Sequence, residues 1–251
     1  MPAMESIQLI IVLGVGLIAG SYGTLVGGGS LITIPTLIFL GLPPHTAIGT
    51  NRLGVMGNPT AGWYEFNRKG IINYKIGFII GIPAFIGPIL GASFVLQINE
   101  TILKRLIAVI TIIILTFLIA RPEIGTKKAG RAITKQDYII GAFLSFLISI
   151  YSGFYGAGAG TLLTYVLILF FGQTFLEGAA TRKIAQFIST AMAIVIFAIG
   201  GVIHYPLGIA LFIGNLIGSY IGAHYSDKIG NIWIKRLFIV IVLIMAVKLL
   251  Y

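Results

Sequence analysis

Three bases stand inside stretches that are otherwise almost wholly apolar. Arg52 lies in AIGTNRLGV (47–55), and Arg182 and Lys183 lie in GAATRKIAQ (178–186). A base within the hydrocarbon region of a membrane is costly unless it faces a polar cavity or a partner. Few carboxylates are on offer: Glu65 falls beside Arg68 and Lys69 at a helix end, and Glu177 at a helix mouth. Positive charge in excess of matching carboxylates calls for an anion from outside the protein. Thr50, Asn51 and Asn58 accompany Arg52, and Thr181, Gln186 and Ser189 accompany Arg182 and Lys183, giving each segment a polar stripe at helical spacing. The chemistry that suits these side chains is the binding of a small oxyanion through charge-assisted hydrogen bonds. For a lone base the alternative is snorkelling, a long side chain reaching the headgroups. A matched pair of sites favours binding.

Glycine clusters form a second pattern. Gly28, Gly29 and Ser30 precede a short apolar segment, 31–41, and Gly158, Gly160 and Thr161 open another, 161–172. Each segment reaches only about 17 Å as a helix, short of the ~30 Å hydrocarbon core. Glycines followed by a hydroxyl make a break and then a helix N-terminus, whose free N–H groups and partial positive charge favour anions. A plain turn is the alternative at either cluster taken alone. If helices begin near Thr46 and Glu177, then Arg52 and Lys183 each lie about 9 Å along the axis. The expectation is a symmetric Arg52/Lys183 pair at mid-depth between two broken-helix tips.

The elements that position these residues are membrane helices. The chain has 251 residues, 57% of them hydrophobic and 10% charged, with a mean hydropathy of +1.02. Breaking the pattern at Gly, Pro and charge clusters gives elements at 6–26, 31–41, 46–66, 74–97 and 102–120. After a polar linker come 137–156, 161–172, 177–199, 206–225 and 233–250. The expected fold is an all-α polytopic membrane protein of about eight full spans and two short ones. Its units are a first repeat (1–120), a basic linker (121–136) and a second repeat (137–251).

The second five elements copy the first at an offset of 131 residues, Gly41 falling on Gly172. GGGSLIT then overlies GAGTLLT, GIINY overlies GVIHY, GPILGA overlies GSYIGA, and KRL (104–106) overlies KRL (235–237). Internal repeats in an apolar chain mark many secondary transporters. The basic loop with Arg68, Lys69 and Lys75 and the linker with Arg121, Lys127, Lys128, Arg131 and Lys135 belong on the cytoplasmic side. In the second copy the basic loop is instead the one holding Lys228, Lys235 and Arg236. That exchange predicts two repeats of inverted topology with both termini outside. Lys104 and Arg105 run against this orientation, and the opposite or a dual topology is the alternative.

At these residues the chain resembles the TauE/SafE family, the sulfite exporter and organosulfonate permease-like membrane proteins. The resemblance rests on GGGSLITIP, GLPPHTAIGTNRL and FNRKGIINY in the first copy, with SGFYGAGAG and AATRKIAQF in the second, and spans nearly the whole chain. Arg52 stands where the family often has Lys, Lys183 is kept, Gln186 replaces an Asn, and alanines interrupt the second glycine cluster. The resemblance implies transport of sulfite, sulfonates or related organic oxyanions.

The chain is thus expected to be a multi-pass transporter of the cell membrane that moves a small anion by alternating access. An anion channel on the same pathway, or an accessory subunit, is the alternative. The 17 Lys and Arg against 7 Asp and Glu read as topological charge, so no nucleic-acid partner is expected. The expected partners are the small anionic substrate, the lipid bilayer and, as an option, a second copy of the chain as a homodimer. Without cysteine, a zinc motif, a nucleophile elbow or paired carboxylates, no enzyme activity, catalytic residue, metal or cofactor is expected. His45, His204 and His224 map to loops or helix ends and are expected to be interfacial. Glycines at 77, 81, 87 and 91 and at 214, 218 and 222 are expected to let helices pack closely, and Pro59, Pro83 and Pro88 to kink them.

Overall fold

The computed structural model describes residues 2–103, 105–107, 109 and 133–228. Ten helices are assigned within them: α1 (Pro2–Leu25), α2 (Ser30–Phe39), α3 (Pro44–Val55), α4 (Gly57–Arg68), α5 (Tyr74–Gly81), α6 (Pro83–Gln97), α7 (Lys135–Phe154), α8 (Ala159–Phe171), α9 (Phe175–Ile199) and α10 (Tyr205–His224). No strand occurs among the described residues. Among the described residues, five helical stretches are long and apolar enough to cross a membrane: Ser6–Leu25, Tyr74–Gln97, Lys135–Phe154, Phe175–Ile199 and Tyr205–His224. Residues 100–103, 105–107 and 109 are helical as well; the rest of the span expected over 102–120, the span expected over 233–250 and most of the linker lie outside the described residues.

Local chemistry sets where the helices start. Thr134 and Asp137 form a capping box at α7, and Thr174 and Glu177 form one at α9. Asn73 and His204 cap α5 and α10 by accepting from the N–H of Ile76 and Leu207. Two stretches expected to be single helices are divided. The 46–66 element is two 12-residue helices, α3 and α4, meeting at Met56, because Pro59 has no N–H to bond back one turn. The 74–97 element is interrupted at Ile82, immediately before Pro83.

The described residues are apolar on the outside and bury a set of polar and charged side chains beside an apolar core. Ile7, Ile10, Ile82, Phe94, Ile139, Phe143 and Ile199 are exposed, whereas Thr50, Asn51, Arg52, Asn58, Arg182, Lys183, Asn215 and Ser219 are buried. An apolar surface of this kind suits lipid, and a polar interior suits a pathway.

The helices interlock across the two halves. α1 packs along α10, and α7 packs along α6. The glycine stripes lie at those contacts. Gly214, Gly218 and Gly222 press on the backbone of α1 at Leu13, Leu17 and Ser21, while Gly87 and Gly91 press on α7 between Ser149 and Phe154. The 131-residue offset recurs in the backbone as well. Gly27 and Gly158, Gly41 and Gly172, and Gly70 and Gly201 all have positive φ.

Candidate functional site

A cavity of mixed polar and apolar lining lies where α1, α2, α3, α4, α6, α7, α8, α9 and α10 converge. Gly28, Gly29, Ser30, Arg52, Asn58, Gly160, Arg182, Gln186 and Ser189 line it, together with Ser149, Ser152, Gly156, Thr190 and Asn215. It measures about 40 Å³. A water molecule needs about 10–15 Å³ on this measure, so the cavity has room for a few oxygen-sized groups.

Arg52 and Arg182 reach it from α3 and α9, each almost fully buried. Arg182 Nη2 donates to the carbonyls of Gly23, Thr24 and Leu25 at 3.0, 3.0 and 3.3 Å, and Nη1 donates to Gln186 Oε1 at 3.2 Å. Arg52 Nη2 donates to the carbonyl of Ser152. Each guanidinium therefore rests on the C-terminal carbonyls of a long helix, α1 or α7, where the helix dipole favours a cation. The Nε of both arginines is buried and has no hydrogen-bond partner among the described residues. Leaving a donor of a charged group unpaired in a buried site is costly, and an oxyanion in the cavity would supply the acceptor.

Glycine makes room for both groups. A methyl at Gly156 would collide with the guanidinium of Arg52, and one at Gly160 with that of Arg182. The two glycine-rich tips abut: a methyl at Gly27, whose φ is +89°, would lie 2.5 Å from Thr161 N.

The other sequence candidates stand outside the lining. Lys183 is buried beside it, and its Nζ donates to Asn58 Oδ1 at 2.6 Å. Asn51 donates to Ser30 Oγ at 3.1 Å and accepts from the Thr33 hydroxyl. Thr161 Oγ1 donates to Val26 O at 2.7 Å, and Gly158, with φ +80°, caps α8. Thr50 Oγ1 accepts from the N–H of His204 at 2.8 Å, and Thr181 Oγ1 accepts from the N–H of Asn73 at 3.2 Å. These last two bonds are the same contact seen from each half, since Thr50 and Thr181, and Asn73 and His204, both differ by the 131-residue offset.

Gly156 opens the second glycine cluster of the sequence, whereas the lining residues Ser149, Ser152, Thr190 and Asn215 were not singled out from it. For Ser149 and Ser152, their i+4 and i+7 spacing from Ser145 on α7 is the signal that could have found them.

The buried acids of the described residues are engaged elsewhere. Glu65 accepts from Arg68 at 3.3 Å and pairs with His224 Nδ1 at 2.8 Å. Asp137 closes the capping box of α7. Among the described residues, then, the cavity has two guanidinium groups and no carboxylate in its lining.

Similarity to known proteins agrees with a transport role. A probable membrane transporter protein of Haemophilus influenzae is 28% identical over 244 residues, covering 97% of this chain and 94% of its own length. The probable membrane transporter protein YfcA of Escherichia coli is 24% identical, covering 94% of this chain and 87% of its own length. YdhB of Bacillus subtilis, also a probable membrane transporter protein, is 26% identical, covering 90% and 92%. The family model described as sulfite exporter TauE/SafE matches residues 12–249. With its apolar helices and polar interior, this multi-pass membrane protein belongs to the TauE/SafE family of membrane transporters.

Proposed function

We propose that the chain is a secondary transporter that carries a compact oxyanion, namely sulfite, a sulfonate or a related small organic oxyanion, by alternating access. One observation carries this reading. Arg52 and Arg182 line the same buried cavity, each with an unpartnered Nε, and no carboxylate lines it among the described residues. The Nη2 of each is held by helix carbonyls, and Nη1 of Arg182 by Gln186, so the guanidinium groups are oriented before the anion arrives, which lowers the cost of binding. Ser30, Asn58, Gln186 and Ser189 complete the polar wall.

Alternation follows from the repeat. Residues 1–120 and 137–251 are two inverted copies joined by the linker at 121–136. Support comes from the exchanged contacts Thr50–His204 and Thr181–Asn73, and from the paired packing of α1 on α10 and α7 on α6. Reciprocal contacts between matched residues are what a pseudo-two-fold axis produces. If the copies exchange conformations, the cavity opens to each side in turn.

Purified protein in liposomes tests this. Uptake of radiolabelled sulfite is expected to saturate and to be stimulated by sulfite on the opposite side. A channel would give flux without such exchange. Absence of sulfite uptake and exchange in well-folded protein would overturn the reading.

A further inference from the structure

Lys183 is a buried base that the anion cavity does not use. We propose that Lys183 is the proton-binding residue of a proton–anion symporter, taking up a proton when the anion binds and releasing it when the anion leaves. This rests on the anion reading above.

Position is the first ground. The Lys183 Nζ donates to Asn58 Oδ1 at 2.6 Å, and Asn58 itself lines the cavity, so the ammonium stands one amide away from the bound anion. Asn58 is fixed from behind, its Nδ2 donating to Gly20 O at 3.1 Å and its carbonyl accepting from Ser219 Oγ at 2.8 Å. Anion charge is therefore felt at Lys183 through a rigid neutral spacer.

Charge balance is the second. Arginine stays charged at any physiological pH, whereas lysine can give up its proton. Of the three buried bases, only Lys183 can adjust its charge to the cavity's occupancy. A monoanion entering together with one proton on Lys183 leaves the net charge of the buried core unchanged. The loaded and empty carriers then face the same electrostatic cost in the low-dielectric interior.

A path for the proton is the third. Asn58, Gly62 and Glu65 follow at i, i+4 and i+7 on one face of α4. A methyl at Gly62 would lie 3.1 Å from Lys183 Nζ, and Glu65 comes about 4.5 Å further along the axis. Glu65 is buried, and its Oε1 is paired at 2.8 Å with Nδ1 of His224, which is exposed. Among the described residues no hydrogen bond or ion pair joins Glu65 to Lys183, so a proton entering at His224 passes to Glu65 and then through an intervening water to the Lys183 nitrogen, each new bond to hydrogen forming as the previous one breaks.

The surroundings offer few competitors. Arg182 adjoins Lys183 on α9. Glu177 lies at the start of α9, and elsewhere the titratable or charged groups of the packed elements are Glu5 and Tyr22 on α1, Arg52 and His45 on α3, Tyr64, Glu65 and Arg68 on α4, Tyr151 and the α7 entry residues Lys135, Asp137 and Tyr138, and Tyr165 on α8. α5 carries Tyr74 and Lys75 at its first turn, and α6 carries none.

Methanesulfonate is a suitable probe, because it stays ionised and contributes no proton of its own. Wild-type liposomes, with the potential clamped by potassium and valinomycin, are given an inward proton gradient of one pH unit. One-to-one electroneutral symport accumulates methanesulfonate about tenfold, matching the tenfold proton ratio of one pH unit. Lys183→Met carries no proton and Lys183→Arg cannot release one, so both are expected to abolish accumulation. Lys183→Arg keeps the buried charge and is expected to retain methanesulfonate exchange, which separates coupling from folding. Wild-type equilibration without accumulation, or accumulation by Lys183→Arg equal to wild type, would overturn this inference and leave the anion site standing. Absence of methanesulfonate exchange in the wild type would overturn the anion reading, and this inference with it.

Discussion

Arg52 and Arg182 come from opposite halves of the chain, yet their guanidinium groups line one cavity and lie against glycines of one short segment, Arg52 at Gly156 and Arg182 at Gly160. Each also rests on the carbonyl end of a long helix, α7 for Arg52 and α1 for Arg182. The two groups are thus held by the same structures that the glycine breaks create.

Replacing either arginine by lysine keeps the charge but removes the fork. Arg52→Lys and Arg182→Lys are each expected to weaken sulfite binding about 10- to 100-fold, the equivalent of one charge-assisted hydrogen bond at about 1.5–3 kcal/mol. The sulfite-dependent rise in melting temperature measures this. An unchanged rise in both variants would remove the arginines from the site.

The glycines beneath the guanidinium groups separate two effects. Gly160 is helical, so Gly160→Ala adds only a methyl against Arg182. It is expected to reduce the sulfite response while the ligand-free protein melts within a few degrees of wild type. Gly156 has φ +73°, so Gly156→Ala adds a backbone penalty of about 1–2 kcal/mol and is expected to lower the ligand-free melting temperature as well.

Thr50 and Thr181 accept corresponding N–H groups on the two halves. A valine at either position removes the acceptor of a part-buried N–H and is expected to destabilise the local contact by about 0.5–1.5 kcal/mol. Under alternating access, Thr50→Val and Thr181→Val bias the cavity toward opposite sides. The chain has no cysteine, so a single cysteine replacing Ser152 reports access cleanly through maleimide labelling from each side of sealed vesicles. Shifts in the same direction would count against alternation.

Close helix approach is testable at the α1–α10 contact. A methyl at Gly218 would lie 2.8 Å from the Leu17 carbonyl carbon, whereas one at Gly14 would meet nothing within 4 Å. Gly218→Ala is expected to cost about 1–3 kcal/mol by overpacking. Gly14→Ala is expected to be neutral or to stabilise by up to about 1 kcal/mol. Thermal unfolding in detergent compares them, and equal behaviour would dismiss the packing role.

Much of the frame was legible in residue order. Hydrophobic run length, glycine breaks and the 131-residue offset are local or translational properties, and α7, α8, α9 and α10 begin within two residues of their expected starts. The divisions at Met56 and Ile82 were harder to read, because apolar length continues across both and proline kinks a helix as readily as it ends one.

The sequence by itself determined that this is a helical membrane chain with buried bases in excess of acids, since composition and run length state that directly. Only the tertiary structure decided which base meets the cavity. Successive residues of a helix point about 100° apart, so Arg182 and Lys183 cannot face the same way. A helix enclosed by neighbours lacks the one-sided apolar stripe that would reveal its rotation. Packing of α9 against α1, α4 and α8 turned Arg182 toward the cavity and Lys183 toward Asn58.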